Sequence, residues 1–126
     1  MFNKIKEFMP ISHGGYHYED VIKATDDTIR CIVKNEIKRL GDNTDLSHID
    51  VSNVTNMAYL FLNSHFNGDI RDWDVSNVTD MTGMFINSKV DCDISRWNVS
   101  KVKKHECCFD GSPLEKQPSK QPKFNP

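Results

Sequence analysis

The sequence predicts an α/β fold in which short strands and helical turns stack as copies of one repeat. Three observations lead to this prediction. A 24-residue pattern recurs through the middle of the chain, an amphipathic stretch precedes it, and a stretch rich in proline and lysine follows it. With 126 residues, of which only 37% are hydrophobic, the chain has room for one domain with a thin core.

The repeat is the strongest feature of the sequence. Its copies begin at Asp45, Asp69 and Asp93, so both offsets are 24 residues. Each copy carries apolar residues at L-x-x-L-x-L spacing, and the last two of these share one face of a short strand. The pattern predicts a leucine-rich-repeat solenoid of about 2.5 units with a parallel strand ladder. The apolar positions are Leu46, Ile49 and Val51, then Ile70, Trp73 and Val75, then Ile94, Trp97 and Val99.

The second half of each copy is predicted to be a helical segment of one or two turns. Its apolar residues lie three, three and one apart, as in the stretch from Val78 to Phe85. One copy cannot bury its apolar edge alone, so consecutive copies must stack. We therefore expect Phe61, Phe85 and Phe109, which are 24 residues apart, to lie on one another.

Residues 1–44 are predicted to form an N-terminal segment that covers the first copy. Apolar residues at helical spacing indicate a capping helix at about 26–40. Thr25, Asp26 and Asp27 offer capping oxygens and favourable charge at its start. The segment before this helix has no clear role in the pattern.

Residues 45–111 hold the repeats, and residues 112–126 form the C-terminal tail. Four of the five prolines lie in this tail, together with three lysines. Proline removes backbone donors and favours an extended path, so an extended tail is predicted.

One copy matches a known type of repeat closely. The residues from Trp73 to Phe85 read W-D-V-S-N-V-T-D-M-T-G-M-F. This pattern resembles the BspA-like leucine-rich repeats, in the Asp-Val-Ser-Asn-Val-Thr variant of bacterial surface proteins and mycoplasmal lipoproteins. The resemblance covers about residues 45–110, and it implies a curved solenoid for protein binding or adhesion, with no catalytic residues. The third copy departs from the pattern, as at His105 and Cys108.

Composition excludes several classes of protein. Sixteen basic and eighteen acidic residues give a net charge of −2, so we expect no nucleic-acid partner. No run approaches the roughly 18 apolar residues of a membrane span, and no export signal is recognised near the N-terminus. The four cysteines match no disulfide framework, which suits a reducing compartment. A cytoplasmic location without membrane contact is predicted.

Neither a metal site, nor a cofactor, nor catalysis is expected. The stretch 105–108 and Cys92 offer the ligand types that zinc prefers, but they lack C-x-x-C spacing. Asp50, Asp74 and Asn98 recur at one repeat position, yet they supply too few carboxylates for calcium. No nucleophile has a base and an orienting group beside it in the pattern.

The predicted function is that of a non-enzymatic protein-binding module. Its most concrete form is a small phage or mobile-element protein, an inhibitor that binds and blocks a host factor. One alternative is a fragment of a secreted surface or adhesion protein, and a second is a metal-binding or enzymatic protein. A protein partner would be recognised by side chains between the core positions of the strands. These predicted partner-binding residues are His48, Arg71, Asp72, Asp74, Arg96 and Asn98.

Overall fold

The computed structural model describes residues 21–125, so the predicted N-terminal segment lies outside it as far as residue 20. The described part contains one α-helix, two short 3₁₀ helices and one sheet of two parallel strands. Strand β1 (Ile22–Lys23) pairs with β2 (Ile49–Asp50). Helix α1 spans Ile29–Leu40, about three residues later than its predicted start. The 3₁₀ helices span Pro113–Lys116 and Pro118–Lys120.

The predicted leucine-rich-repeat solenoid with a strand ladder is wrong. Within residues 21–125, the second and third copies contribute no strand, and the chain turns where strands were expected. Side chains at the start of each copy cause these turns. Oδ1 of Asp69 accepts the N–H of Arg71 at 2.9 Å, and Oδ1 of Asp74 accepts the N–H of Ser76 at 3.0 Å. Aspartates that bond the backbone two residues on favour turns over an extended ladder. The fold is mixed and low in regular secondary structure.

The stretch predicted as helical in each copy is also a series of turns. Tyr59, Gly83 and Cys107 occupy the same repeat position, and their φ angles are 60°, 59° and 58°. A residue in this left-handed conformation does not continue a right-handed helix. The backbone therefore reverses locally in every copy. A second left-handed position follows four residues later, at Asn63, Asn87 and Gly111.

Equivalent side chains of consecutive copies lie against each other and build the core. The ring of Phe85 stacks on Phe61 with centroids 5.7 Å apart and on Phe109 at 5.8 Å, in the predicted order. The indole N–H of Trp73 donates to the carbonyl of Leu46 at 2.9 Å. Side-chain packing between copies thus buries the apolar residues without a continuous sheet.

Backbone hydrogen bonds join the copies at alternate residues of three stretches, 56–63, 80–87 and 104–111, which we call junction segments. The N–H groups of residues 57, 59, 61 and 63 donate to the second junction segment at 2.8–2.9 Å. Their counterparts in the second segment donate to the third at 2.7–2.9 Å. Each junction therefore has four donors facing four acceptors. A block of such copies must leave acceptors at its N-terminal end and donors at its C-terminal end.

Residues around the start of α1 cover the N-terminal end. In the second copy, the N–H of Thr79 donates to the carbonyl of Thr55 in the copy before it, at 2.7 Å. The first copy has no such neighbour, and the N–H of Thr55 donates instead to the carboxylate of Asp26 at 2.7 Å. The guanidinium of Arg30 donates to the carbonyl of Ala58, one of the four acceptors at this end. Asp26, predicted to favour the helix start, thus replaces a backbone carbonyl.

The tail, predicted to be extended, instead folds onto the third copy. Each of its 3₁₀ helices begins with a proline. Proline lacks a backbone N–H, and the first N–H of a helix would have no acceptor within the helix. Leu114 is fully buried, and the N–H of Gly111 donates to Oε1 of Glu115 at 3.1 Å. The tail therefore acts as part of the packed structure.

Candidate functional site

Two of the predicted partner-binding residues shape the turns of the repeat. Oδ1 of Asp74 accepts the N–H of Ser76 at 3.0 Å and its hydroxyl at 2.5 Å. The bond from the Ser76 hydroxyl, followed by the bond from the Ser76 N–H, holds the pKa of Asp74 below its ordinary value. Oδ1 of Asn98 accepts the N–H of Ser100 in the same way, at 3.1 Å. Both side chains are exposed, but their oxygen atoms already serve the fold.

Arg71 is paired within its own copy. Its Nη2 lies 2.9 Å from Oδ2 of Asp69, and its Nε lies 3.0 Å from the same oxygen. The bond to Asp69 raises the pKa of Arg71 and lowers that of the carboxylate. Asp72 and Arg96 differ from Arg71, because both are exposed and neither forms a hydrogen bond or ion pair with a residue in the range 21–125.

His48 lies against α1, although it was predicted to face a partner. Its Nε2 is 2.6 Å from Oε1 of Glu36, a side chain only 7% exposed. Arg39 binds the same carboxylate through Nε at 3.0 Å and Nη2 at 2.7 Å. The bond from Arg39, followed by that from His48, keeps the pKa of Glu36 below its usual range despite burial. This cluster attaches α1 to the first copy.

An apolar surface patch lies on the first two junction segments, and the sequence analysis missed it. Tyr59 and Leu62 remain 48% and 44% exposed. The Tyr59 ring and the Ile86 side chain both cover Gly83, and Leu62 and Ile86 occupy equivalent positions of neighbouring copies. We call these three side chains, Tyr59, Leu62 and Ile86, the Tyr59 patch.

The backbone at Tyr59 is unusual for an aromatic residue. Its φ angle is +60°, a conformation that costs roughly 1–2 kcal/mol for residues with a Cβ atom. The second copy places Gly83 at the equivalent position, where the conformation carries no such cost. A comparison of the copies could have revealed this position, since a half-exposed aromatic residue stands where glycine suffices.

Three of the four cysteine thiols have raised pKa values. All four are free thiols. Burial raises the pKa of Cys108 to about 12 and also raises that of Cys92. Cys107 is exposed, but a hydrogen bond to Asp110 raises its pKa as well. These three thiols stay protonated near neutral pH, whereas nucleophiles and metal ligands act as thiolates.

Two further properties bear on the class of site. Across residues 21–125, no group of three or more His, Cys, Asp or Glu side chains is placed to hold a metal ion. In the same part of the chain, no helix is long and apolar enough to span a bilayer.

Comparison with known proteins places the chain in a family. No match is found among curated proteins or among solved structures. One family matches residues 32–123, which include most of α1, all three copies of the repeat and most of the tail. It is the family of mycoplasmal, BspA-like repeats. The match does not identify the repeat as a leucine-rich type. Because the match covers most of its length, the chain belongs to the family described as "Mycoplasma protein of unknown function, DUF285".

Proposed function

We propose that this chain is a non-enzymatic protein-binding module whose principal contact surface is the Tyr59 patch. The observation that carries the proposal is Tyr59 itself, a half-exposed aromatic residue in a left-handed conformation. The ring lies over Gly83, and about half of the residue stays exposed and accessible to a partner. Tyrosine is enriched among the residues that contribute most to binding energy at protein interfaces.

The surroundings of the patch suit a protein interface. Leu62 and Ile86 extend the apolar surface from the first copy to the second. The exposed residues Asn63 and Asn87 lie beside them in the turns and provide a polar border. An apolar centre with a polar rim is the usual arrangement of such contact surfaces.

Asp72 and Arg96 support a second, charged contact surface. Both are exposed and neither forms a hydrogen bond or ion pair with the described part of the fold, so they are the predicted partner-binding residues most available to a partner. The inhibitor of a host factor and the secreted adhesion protein stay predictions, and both require a protein partner.

The test is affinity capture with the full chain from the native host, quantified by mass spectrometry. Tyr59→Gly with Leu62→Ser removes the patch, and glycine retains the left-handed conformation. Asp72→Lys with Arg96→Glu is the matched pair of surface substitutions, since both side chains are exposed and form no hydrogen bond or ion pair with residues 21–125. Loss of a partner with the first pair and its retention with the second supports the Tyr59 patch. Retention with the first pair overturns the patch, and loss with only the second pair assigns binding to the charged surface.

A further inference from the structure

The tail supplies one half of a fourth copy. Nδ2 of Asn77 donates to the carbonyl of Ser52 at 2.8 Å, which links the second copy to the first. Nδ2 of Asn125 makes the corresponding bond to Ser100 of the third copy, at 3.0 Å. Asn125 lies 48 residues after Asn77, so it keeps the register of the repeat.

An aromatic ring of the tail takes the position of the repeat's tryptophan. Trp97 lies against Phe85 with ring centroids 6.3 Å apart and an interplanar angle of 33°. Phe124 lies against Phe109 at the same distance with an angle of 37°. The tail thus reproduces the tryptophan and asparagine contacts of a following copy.

The tail replaces the following junction segment only in part: the ring of Phe124 stacks on that of His105 with centroids 4.1 Å apart, but three backbone donors lack an acceptor within residues 21–125. The N–H of Gly111 donates to Glu115, but those of His105, Cys107 and Phe109 donate to no group within residues 21–125. The equivalent donors are all used at both junctions inside the chain. Buried N–H groups without an acceptor are rare in folded proteins, and these three lie on exposed or partly buried residues, where water or a partner can accept from them.

A cavity of about 260 Å³ lies beside these donors. Its lining combines aromatic rings of Phe109 and Phe124 with carboxylates of Asp110 and Glu115. Phe109 is only partly buried. Its equivalents in the first two copies, Phe61 and Phe85, are each covered by the phenylalanine ring of the next copy. The cavity therefore lies where the next junction segment would place its phenylalanine.

We propose that this open edge, residues 105–109, binds a segment of a partner protein that adopts the turns of a junction segment. The two filled junctions define the occupant: carbonyls at alternate residues accept from the three N–H groups, and an aromatic side chain stacks on Phe109. The carboxylates of Asp110 and Glu115 favour a basic residue nearby. Completion of an unpaired backbone edge is an established way for a protein to bind a segment of a partner, best known from strand addition to sheets.

A second copy of this chain is a poor occupant. Its complementary acceptors are the carbonyls of the first junction segment, and there Arg30 already binds the carbonyl of Ala58. The open edge lies on the third copy and the Tyr59 patch on the first two, so this proposal does not rest on the proposed use of the patch.

The probe is an acetylated and amidated peptide with the sequence of residues 79–89, which contains Phe85 and Lys89. Added to the ¹⁵N-labelled full chain, it should shift and protect the amide signals of His105, Cys107 and Phe109. The same peptide with Phe85→Ala should bind about tenfold more weakly, because it loses the aromatic stack. Equal binding of both peptides, or shifts confined to other amides, overturns the proposal.

Blocking the cavity gives an independent arm that leaves the core intact. Cys107 is exposed and lines the cavity, whereas the exposed Cys31 lies on α1. A bulky maleimide on Cys107 in a Cys31→Ser background should abolish peptide binding. The same label on Cys31 in a Cys107→Ser background should leave it unchanged. Equal binding by the two labelled proteins, or shifts of the edge amides with protein concentration alone, contradicts a partner peptide at this edge.

Discussion

Both ends of the repeat block use side chains in place of a missing neighbour, but the groups left over differ. At the N-terminal end, Asp26 accepts from the first copy and Arg30 donates to it, and the remaining groups are carbonyls. At the C-terminal end, Glu115 accepts one donor, and three N–H groups beside a cavity have no acceptor in the described part of the chain. The comparison teaches that a repeat block can be covered at both ends and still offer backbone donors at one of them.

The largest effect should come from the middle of the ring stack. Phe85 is fully buried between two phenylalanines, so Phe85→Ala should lower the free energy of unfolding by about 3–5 kcal/mol. Phe109→Ala at the C-terminal end should lower it by only about 1–2 kcal/mol, because that ring is partly exposed. Urea denaturation measures the free energy of unfolding of both variants. Equal losses would show that Phe85 in the middle of the stack is no better buried than Phe109 at its end.

The tail should contribute more than its composition suggests. Leu114→Ala should lower the free energy of unfolding by about 2–4 kcal/mol, because the side chain is fully buried. The matched control is Lys116→Ala in the same 3₁₀ helix, where an exposed side chain should change stability by less than about 0.5 kcal/mol. If the two variants unfold alike in urea, the tail is not part of the cooperative fold.

The sequence was sufficient for the features that depend on equivalence between copies. The 24-residue offset placed Phe61, Phe85 and Phe109 in one stack, because identical positions of stacked copies must meet. It also identified a helix ahead of the repeats, since apolar residues at helical spacing are a strong signal.

The sequence was insufficient where short polar side chains compete with the backbone ladder. The spacing of Ile70, Trp73 and Val75 suits a strand, but Asp69 and Asp74 bond the backbone and turn it instead. The left-handed positions were also hidden. Such positions are usually recognised by glycine, but at the first left-handed position of the repeat only the second copy has glycine. The first and third copies have Tyr59 and Cys107 there.

Availability of the predicted site residues likewise depended on contacts between distant parts of the chain. His48 bonds to Glu36, which lies twelve residues earlier on α1. This contact depends on how α1 packs on the first copy, which the repeat pattern does not show. The open edge could not be foreseen either, because it is defined by what the tail fails to replace.

A smaller loss should follow removal of the carboxylate at the N-terminal end. Asp26→Ala leaves the N–H and hydroxyl of Thr55 without their acceptor, which should cost about 1 kcal/mol because water partly replaces it at this exposed site. Asp27→Ala is the matched control, since the neighbouring aspartate forms no hydrogen bond within the described residues. Thermal melting compares the pair, and equal melting temperatures would remove Asp26 from the N-terminal cover.

The smallest predicted effect is a change in how the melting temperature depends on acidic pH. The hydroxyl of Thr55 is the main cause of the lowered pKa of Asp26, so the folded pKa lies below the unfolded one. The stabilising contribution is therefore complete above the unfolded pKa, near about 4, and is lost as pH falls through the folded pKa. Asp26→Asn should lose less melting temperature on acidification than the parent. A parallel acid profile for Asp26→Asn would contradict the assignment.

Amide hydrogen exchange of the full chain, followed by NMR, tests the central claim most directly. We expect fast exchange at His105, Cys107 and Phe109, because these donors have no acceptor among residues 21–125. We expect slow exchange at Met81, Gly83 and Phe85, the same three positions one copy earlier, because each donates to the third copy at 2.7–2.9 Å. Equal protection of the two sets would show that the C-terminal edge is closed and would contradict the account.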